Sequence, residues 1–334
     1  FYPGYGLEPN ATVTLVGSAY NDIVHAANHN GGLVANLGDG DDEIVLPNAI
    51  ANSIDAGAGD DVVFVAVENS QISDLKIDGG AGTDTLGFGW WDGGGQAVSV
   101  TINTGVMSSF ENLVGSTQND TLIGDGNSNA LFGGNGGDVL FGLAGDDKLY
   151  GDNGGSALSQ LSLNAAGGQL EQNDDYGSDK LYGGSGDDIL VGDLGDDVLD
   201  GGNGVDILSG GAGSDTFVVR ELGVTQSLPY ADVVTDFEDG FDLIGLDGIA
   251  YGDISTQQGT GDYSEHVLIS SGVSYLLVLE NISASQISVA DFTTVTVPDT
   301  DGDGLTDDAD DLPLDKLESV DTDGDGIGNN ADTD

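Results

Sequence analysis

Between Leu113 and Val218 the apolar positions keep a nine-residue period. Leu131, Leu140, Leu149, Leu181, Leu190, Leu199, Leu208 and Phe217 close phrases such as Gly133-Gly-Asn-Gly-Gly-Asp-Val-Leu-Phe141, Gly142 to Tyr150 and Gly183 to Val191. The first six residues of each phrase are dominated by Gly, Asn and Asp, which tolerate left-handed backbone and turn a chain tightly. The last three carry the apolar residue that a strand needs. The pattern therefore predicts half-coils of six bending and three extended residues. Two halves make an eighteen-residue coil with two short parallel strands, whose apolar residues face a thin core between two sheets.

Residues eighteen apart then lie one above another. The sixth positions fall into two columns, Asp120, Asp138, Asp179, Asp197 and Asp215 on one edge and Asn129, Asp147, Asp188 and Asp206 on the other. At the strand spacing of ~4.8 Å, two carboxylates repel by ~1 kcal/mol in water and ~3 to 4 kcal/mol at an effective dielectric of 20. A domain stable by only ~5 to 15 kcal/mol cannot absorb that at every layer. Divalent cations between the layers are expected. Calcium suits, since it accepts six to eight oxygens in flexible geometry, and the turns offer only carboxylates and main-chain carbonyls. With no Cys and three His, the chain has few soft ligands.

The phrase resembles the nonapeptide repeat of the RTX (repeats-in-toxin) family, a likeness that extends over roughly two-thirds of the chain. It implies an all-β fold, a parallel β-roll or β-solenoid stacked on calcium ions, and export in unfolded form by type I secretion with folding on external calcium.

The remainder divides around that block. Residues 1–112 read as looser solenoid turns with a single calcium edge. Gly17-Ser-Ala-Tyr-Asn-Asp-Ile-Val24 aligns with Gly115 to Leu122, and further turns place Asp42, Asp61 and Asp84 at nearly full-coil spacing beside Asp22. The stretch from Gly87 to Asn112 interrupts the ladder with Trp90 and Trp91, either a binding platform or the cover of a solenoid seam, and with a strand-like run from Val98 to Ile102. His25 and His29 stand four apart among Asn and Gly, where a loop is expected rather than a zinc-binding helix. Within the roll of 113–218 an insertion at 153–175 replaces part of one half-turn, either a tolerated bulge or a partner-binding element. Residues 219–297 lose the period and resemble the small β cap that closes RTX rolls, with a hairpin from Val267 to Leu279 and a last calcium expected at Asp232 and Asp236.

Residues 298–334 form a calcium-loop tail. Asp299, Asp301, Asp303, Asp307 and Asp310 occupy oxygen positions of a twelve-residue loop with Gly304 at its sixth place, and Asp321, Asp323, Asp325, Asn329 and Asp332 repeat it around Gly326. Without flanking helices the tail resembles thrombospondin type 3 repeats. A further unit begins at Ala331, so the chain is expected to continue in the full protein.

Charge narrows the partners. A formal net charge of -54, from 59 acidic and 5 basic residues, disfavours nucleic acid and anionic membrane surfaces. Hydrophobic residues at 38% in ordered periodicity favour a folded chain over a disordered one. No run of apolar residues is long enough to span a bilayer. The start at Phe1 carries no signal-peptide pattern, so either a leader has been removed or another part of the chain is read for export. No HExxH, GxSxG or completed dinucleotide fingerprint is present, and no enzyme activity is expected of this chain. The expected partners are about ten or more calcium ions, together with further copies of the chain or with surface proteins, matrix proteins or glycans. The favoured function is a calcium-dependent structural module of a secreted or cell-surface protein, of adhesin, matrix or surface-layer type. The alternative is the folding and secretion module of an extracellular hydrolase, a protease or lipase whose catalytic domain lies outside this sequence.

Overall fold

The computed structural model describes residues 12–25, 32–46, 53–65, 75–88, 96–103, 106–152, 177–220 and 227–296. Trp90, Trp91, His29, the insertion at 153–175 and the tail, with the two calcium loops expected there, lie outside them. The described chain winds as a parallel β-roll. One wall is a single thirteen-stranded sheet, running from Ile23–His25 through Asn112–Val114 and Ile207–Ser209 to Ile254–Gln258. The facing wall is two sheets. Five strands run from Val13–Ser18 to Met107–Ser108, and eight from Ser99–Thr101 to Phe292–Val295.

The eighteen-residue coil sets the register: Leu122 pairs with Leu140, Leu131 with Leu149, Leu181 with Leu199 and Leu190 with Leu208. All eight of these leucines are fully buried, as is Phe217, in one apolar core that runs from Val24 to Ile282. Across the insertion Leu140 still pairs with Leu181, so the added residues leave the stacking intact. Aromatic pairs outside this file continue it, with Phe132 stacked on Tyr150 at 4.8 Å and Phe141 on Tyr182 at 5.1 Å between ring centroids.

In the N-terminal coils burial alternates along the strand before each acidic turn, as in Leu33–Asp39, where Leu33, Ala35 and Leu37 face inward. The opposite edge of these coils, at 26–31, 47–52, 66–74 and 89–95, lies outside the described residues. The interruption near residue 100 is a seam in one wall only. Ser99–Thr101 pairs forward with Thr121–Ile123, while Met107–Ser108 pairs back onto Lys76–Ala81. The facing wall runs straight through, Asn112–Val114 bonding to both Thr85–Phe88 and Ala130–Phe132.

Beyond Val218 the sequence period ends but the walls do not. Thr216–Val219 pairs in parallel with Leu243–Asp247, and that strand with Phe292–Val295. On the other wall Ile207–Ser209 pairs with Asp232–Val234, which pairs with Ser274–Leu279. The cap is thus continued coil with wider loops, closed by the antiparallel strands Val267–Ser271 and Ile254–Gln258. The expected hairpin from Val267 to Leu279 lies within that closure. Among the described residues no helix is long and apolar enough to cross a membrane.

With so few apolar side chains per layer, one truncation removes a large part of a layer's burial. Leu190→Ala, between Leu149 and Leu208, is expected to cost about 2 to 5 kcal/mol by denaturant unfolding in saturating calcium. An unchanged midpoint would contradict the single-file core.

Candidate metal centre

The acidic turns are joined by a repeated hydrogen bond. On the edge leading into the eight-stranded sheet, Asp120 N–H donates to Asp138 Oδ1 at 2.7 Å, Asp138 N–H to Asp179 at 2.7 Å, Asp179 N–H to Asp197 at 2.8 Å and Asp197 N–H to Asp215 at 2.9 Å. Val98 N–H begins this series on Asp120, and Asp242 ends it by accepting from Asp215 N–H. On the edge leading into the thirteen-stranded sheet, Asn129 donates to Asp147, Asp147 to Asp188, Asp188 to Asp206 and Asp206 to Asp232.

The N-terminal aspartates occupy this second edge too. Asp22 donates to Asp42, Asp42 to Asp61, Asp61 to Asp84, and Asp84 to Oε2 of Glu111. Glu111 precedes the strand that pairs Asn112 with Ala130, so it is the register neighbour of Asn129. What the sequence presents as two separate columns is one line of side chains along one edge.

A second lacing runs the other way in the neighbouring position of each turn. Asp60 N–H donates back to Asp41 Oδ1 at 3.1 Å while Asp42 N–H donates forward to Asp61. The same backward bond joins Asp187 to Asp146, Val205 to Asp187 and Ser214 to Asp196. Each coil both gives to and receives from the next.

The inner carboxylates are left half-satisfied. Oδ1 takes a main-chain N–H, but Oδ2 of Asp42, Asp61, Asp84, Asp138, Asp147, Asp179, Asp188, Asp197, Asp206 and Asp215 is buried with no hydrogen-bond partner. The residues themselves are at most 2% exposed. A buried carboxylate oxygen without a partner is costly, and the neighbouring layer adds like charge. The ion pairs among the described residues, His25 with Glu43 and Arg220 with Asp200 and Asp247, involve none of these ten.

Burial therefore raises their pKa values. Loss of water is the largest cause, eased by the accepted N–H and reinforced by adjacent carboxylates. Asp138 is pushed up to about 9, Asp147 and Asp179 to about 8, and Asp84 and Asp197 to about 7. Asp206 rises for the same reason and through its close neighbour Asp232.

These oxygens fit a hard cation. The opening glycine of the turn leaves room beside them: a Cβ at Gly133, Gly183 or Gly210 would collide with Oδ2 of Asp138, Asp188 or Asp215. Among the described residues no three His, Cys, Asp or Glu side chains converge on a point. A bound ion would thus combine carboxylates with main-chain carbonyls of the turns, the mixed oxygen set that calcium accepts.

Other expected ligands sit differently. Asp22, Asp120 and Asn129 occupy the columns, yet each receives a further bond from within its own turn. Asp236 is engaged on both oxygens, by Gly210 N–H on one and by Ser209 Oγ–H and Gly211 N–H on the other. Asp299, Asp301, Asp303, Asp307, Asp310, Asp321, Asp323, Asp325, Asn329 and Asp332 lie outside the described residues. Three acidic residues absent from the expected set belong to the columns or beside them. Glu111 and Asp242 extend the two lines, and Asp152, 5% exposed, keeps one oxygen unpartnered while the other accepts from Leu194 N–H. The signal available for Glu111 and Asp242 was an acidic residue directly before a strand.

A family model described as the RTX calcium-binding nonapeptide repeat, four copies, matches residues 51–70, 108–140, 132–155, 174–199 and 182–217. No curated protein matches the chain. Among solved structures, the AlgE6R3 subunit of the Azotobacter vinelandii mannuronan C5-epimerase is similar at 21% identity and TM-score 0.22, over 53% of this chain and 78% of that one. The extracellular lipase LipA from Serratia marcescens is similar at 16% identity and TM-score 0.23, over 86% of this chain and 40% of the lipase.

The raised pKa values have a direction for stability. A group that holds its proton more tightly when folded contributes stability that is full below the unfolded value, ~3.9, and lost as pH rises through the folded value. For Asp61, Asp84, Asp138 and Asp147 that loss falls between about 6 and about 9. In chelator, strand content by circular dichroism should rise as pH is lowered from about 9 to about 5. In calcium, protons compete for the same oxygens and the calcium midpoint should move to higher concentration over that range. A flat response in both titrations would contradict the buried columns.

Proposed function

We propose, from the premise that this chain carries RTX calcium-binding nonapeptide repeats, that it is a structural module of a secreted or cell-surface protein and folds when it meets external calcium. One observation carries the proposal: ten buried carboxylate oxygens, without partners, stacked along the edges of a roll with a single-file core. Asp42, Asp61, Asp84, Asp138, Asp147, Asp179, Asp188, Asp197, Asp206 and Asp215 are the side chains assigned to the ions.

The chemistry of the turns supports an extracellular location. Mixed carboxylate and carbonyl sites of extracellular modules bind in the range ~0.1 to 1 mM, concentrations reached outside cells. Inside, the same turns would stay empty and mutually repulsive, and a chain held open in that way is suited to export before folding. Once outside, binding free energy becomes folding free energy. The anionic roll then acts as a stiff spacer or contact surface in an adhesin, a matrix or a surface layer.

Circular dichroism tests the central step. Excess chelator at neutral pH should abolish the strand signal, and calcium at about 1 mM should restore it cooperatively. An unchanged strand spectrum in chelator would overturn the proposal.

A further inference from the structure

The acidic turns exist in two states that differ at one residue, the one four positions before the column side chain. In the open state this residue has positive φ. Gly38, Gly57, Gly80, Gly134, Gly184, Gly202 and Gly211 lie between +89° and +114°, and Leu143 and Asp193 sit at 78° and 72°. They precede Asp42, Asp61, Asp84, Asp138, Asp188, Asp206, Asp215, Asp147 and Asp197, and every one of those has its Oδ2 buried and unpartnered. The tenth column aspartate with an unpartnered Oδ2, Asp179, follows the insertion, and the residue four before it lies outside the described residues.

In the closed state the same residue lacks positive φ, and its N–H turns into its own loop. Ser18 N–H donates to Asp22 Oδ2 at 2.7 Å, Ser116 N–H to Asp120 Oδ2, Asp125 N–H to Asn129 Oδ1 at 2.8 Å and Glu238 N–H to Asp242 Oδ2 at 2.7 Å. None of the three aspartates among them leaves an unpartnered buried carboxylate oxygen, and Asn129, an amide, leaves its Nδ2 rather than its oxygen unpartnered. Asp242 is satisfied on both oxygens by Glu238 and Asp215. In the open turn at Gly134 the corresponding N–H is drawn away to Gly151 O at 3.2 Å.

Two further facts make the division more than a tally of glycines. Leu143 and Asp193 hold a left-handed conformation that L side chains rarely adopt and that persists only where the surroundings impose it. The closed turns also stand at boundaries. Asp22 heads the N-terminal line, Asp120 is the first and Asp242 the last aspartate of their series on the opposite edge, and Asn129 heads the run from Asp147 to Asp206.

Resting on the calcium reading above, we propose that the sign of φ at this one position decides whether a turn takes an ion. Occupancy is then confined to three runs, Asp42 to Asp84, Asp138 to Asp215 and Asp147 to Asp206; the second is bounded at both ends, and the other two at their N-terminal ends, by turns whose own N–H stands in for the cation. Asp22, Asp120, Asn129 and Asp242 are structural caps of the columns and bind none.

The test counts ions. Native mass spectrometry of the full chain in saturating calcium would compare wild type with Asp61→Asn and Asp197→Asn in open turns, and with Asp22→Asn and Asp242→Asn in closed ones. Two variants of each class are used, and counts are taken on preparations whose strand content in calcium equals wild type. The open-turn variants should bind fewer ions than wild type. The closed-turn variants should bind the wild-type number while melting at lower temperature. Loss of ions from Asp22→Asn or Asp242→Asn, or a full count in Asp61→Asn and Asp197→Asn, would overturn the rule. A wild-type chain that binds no calcium at all would instead remove the function proposed above.

Discussion

A main-chain N–H of one coil donated to a carboxylate oxygen of the next fixes the register of this roll and creates its central difficulty. The bond sets residues eighteen apart in line and brings each carboxylate out of water. It satisfies one oxygen and strands the other beside a neighbour of the same charge. A chain with 59 acidic and 5 basic residues cannot answer this with ion pairs, and its one internal arginine is held by Asp200 and Asp247. Protons or divalent cations remain. Calcium, which the repeats of this chain are of a type to bind, meets the need that this single hydrogen bond creates.

Much of this was legible in the nine-residue phrase. An apolar residue closing each phrase predicts the file from Leu122 to Phe217, and a carboxylate before each strand predicts columns of Asp138 and Asp147 type. Legibility ended where the period did. Glu111 stands 27 residues after Asp84, in a turn without the glycines of the phrase, yet it carries the column across. Asp242 stands 27 after Asp215 and does the same at the far end. Loop length varies freely between coils because only the strand and the residue before it must meet the neighbour, so spacing is a poor guide once loops lengthen. The wider coils beyond Val218 were hidden for that reason, and they continue both walls.

Hydrogen-bond direction was beyond the reach of composition. Asp60 and Asp61 are adjacent and chemically identical, but one donates its N–H backward and the other accepts on its side chain from the preceding coil. Asp236, expected as a ligand, accepts from three donors of a single turn. Four residues before the column side chain in the same turn, Gly134 has positive φ and Ser116 does not, and of Asp138 and Asp120 only Asp138 keeps a buried oxygen without a partner.

The continuous thirteen-stranded wall has a mechanical meaning. Its strands lie across the long direction of the roll, so tension between the chain's ends pulls along the interstrand hydrogen bonds, which break one rung at a time. The facing wall is split at the seam near residue 100 and transmits load there only through its partner. Extension would therefore proceed by peeling, each step freeing a coil's length of chain, with resistance set by the bonds that join adjacent rungs.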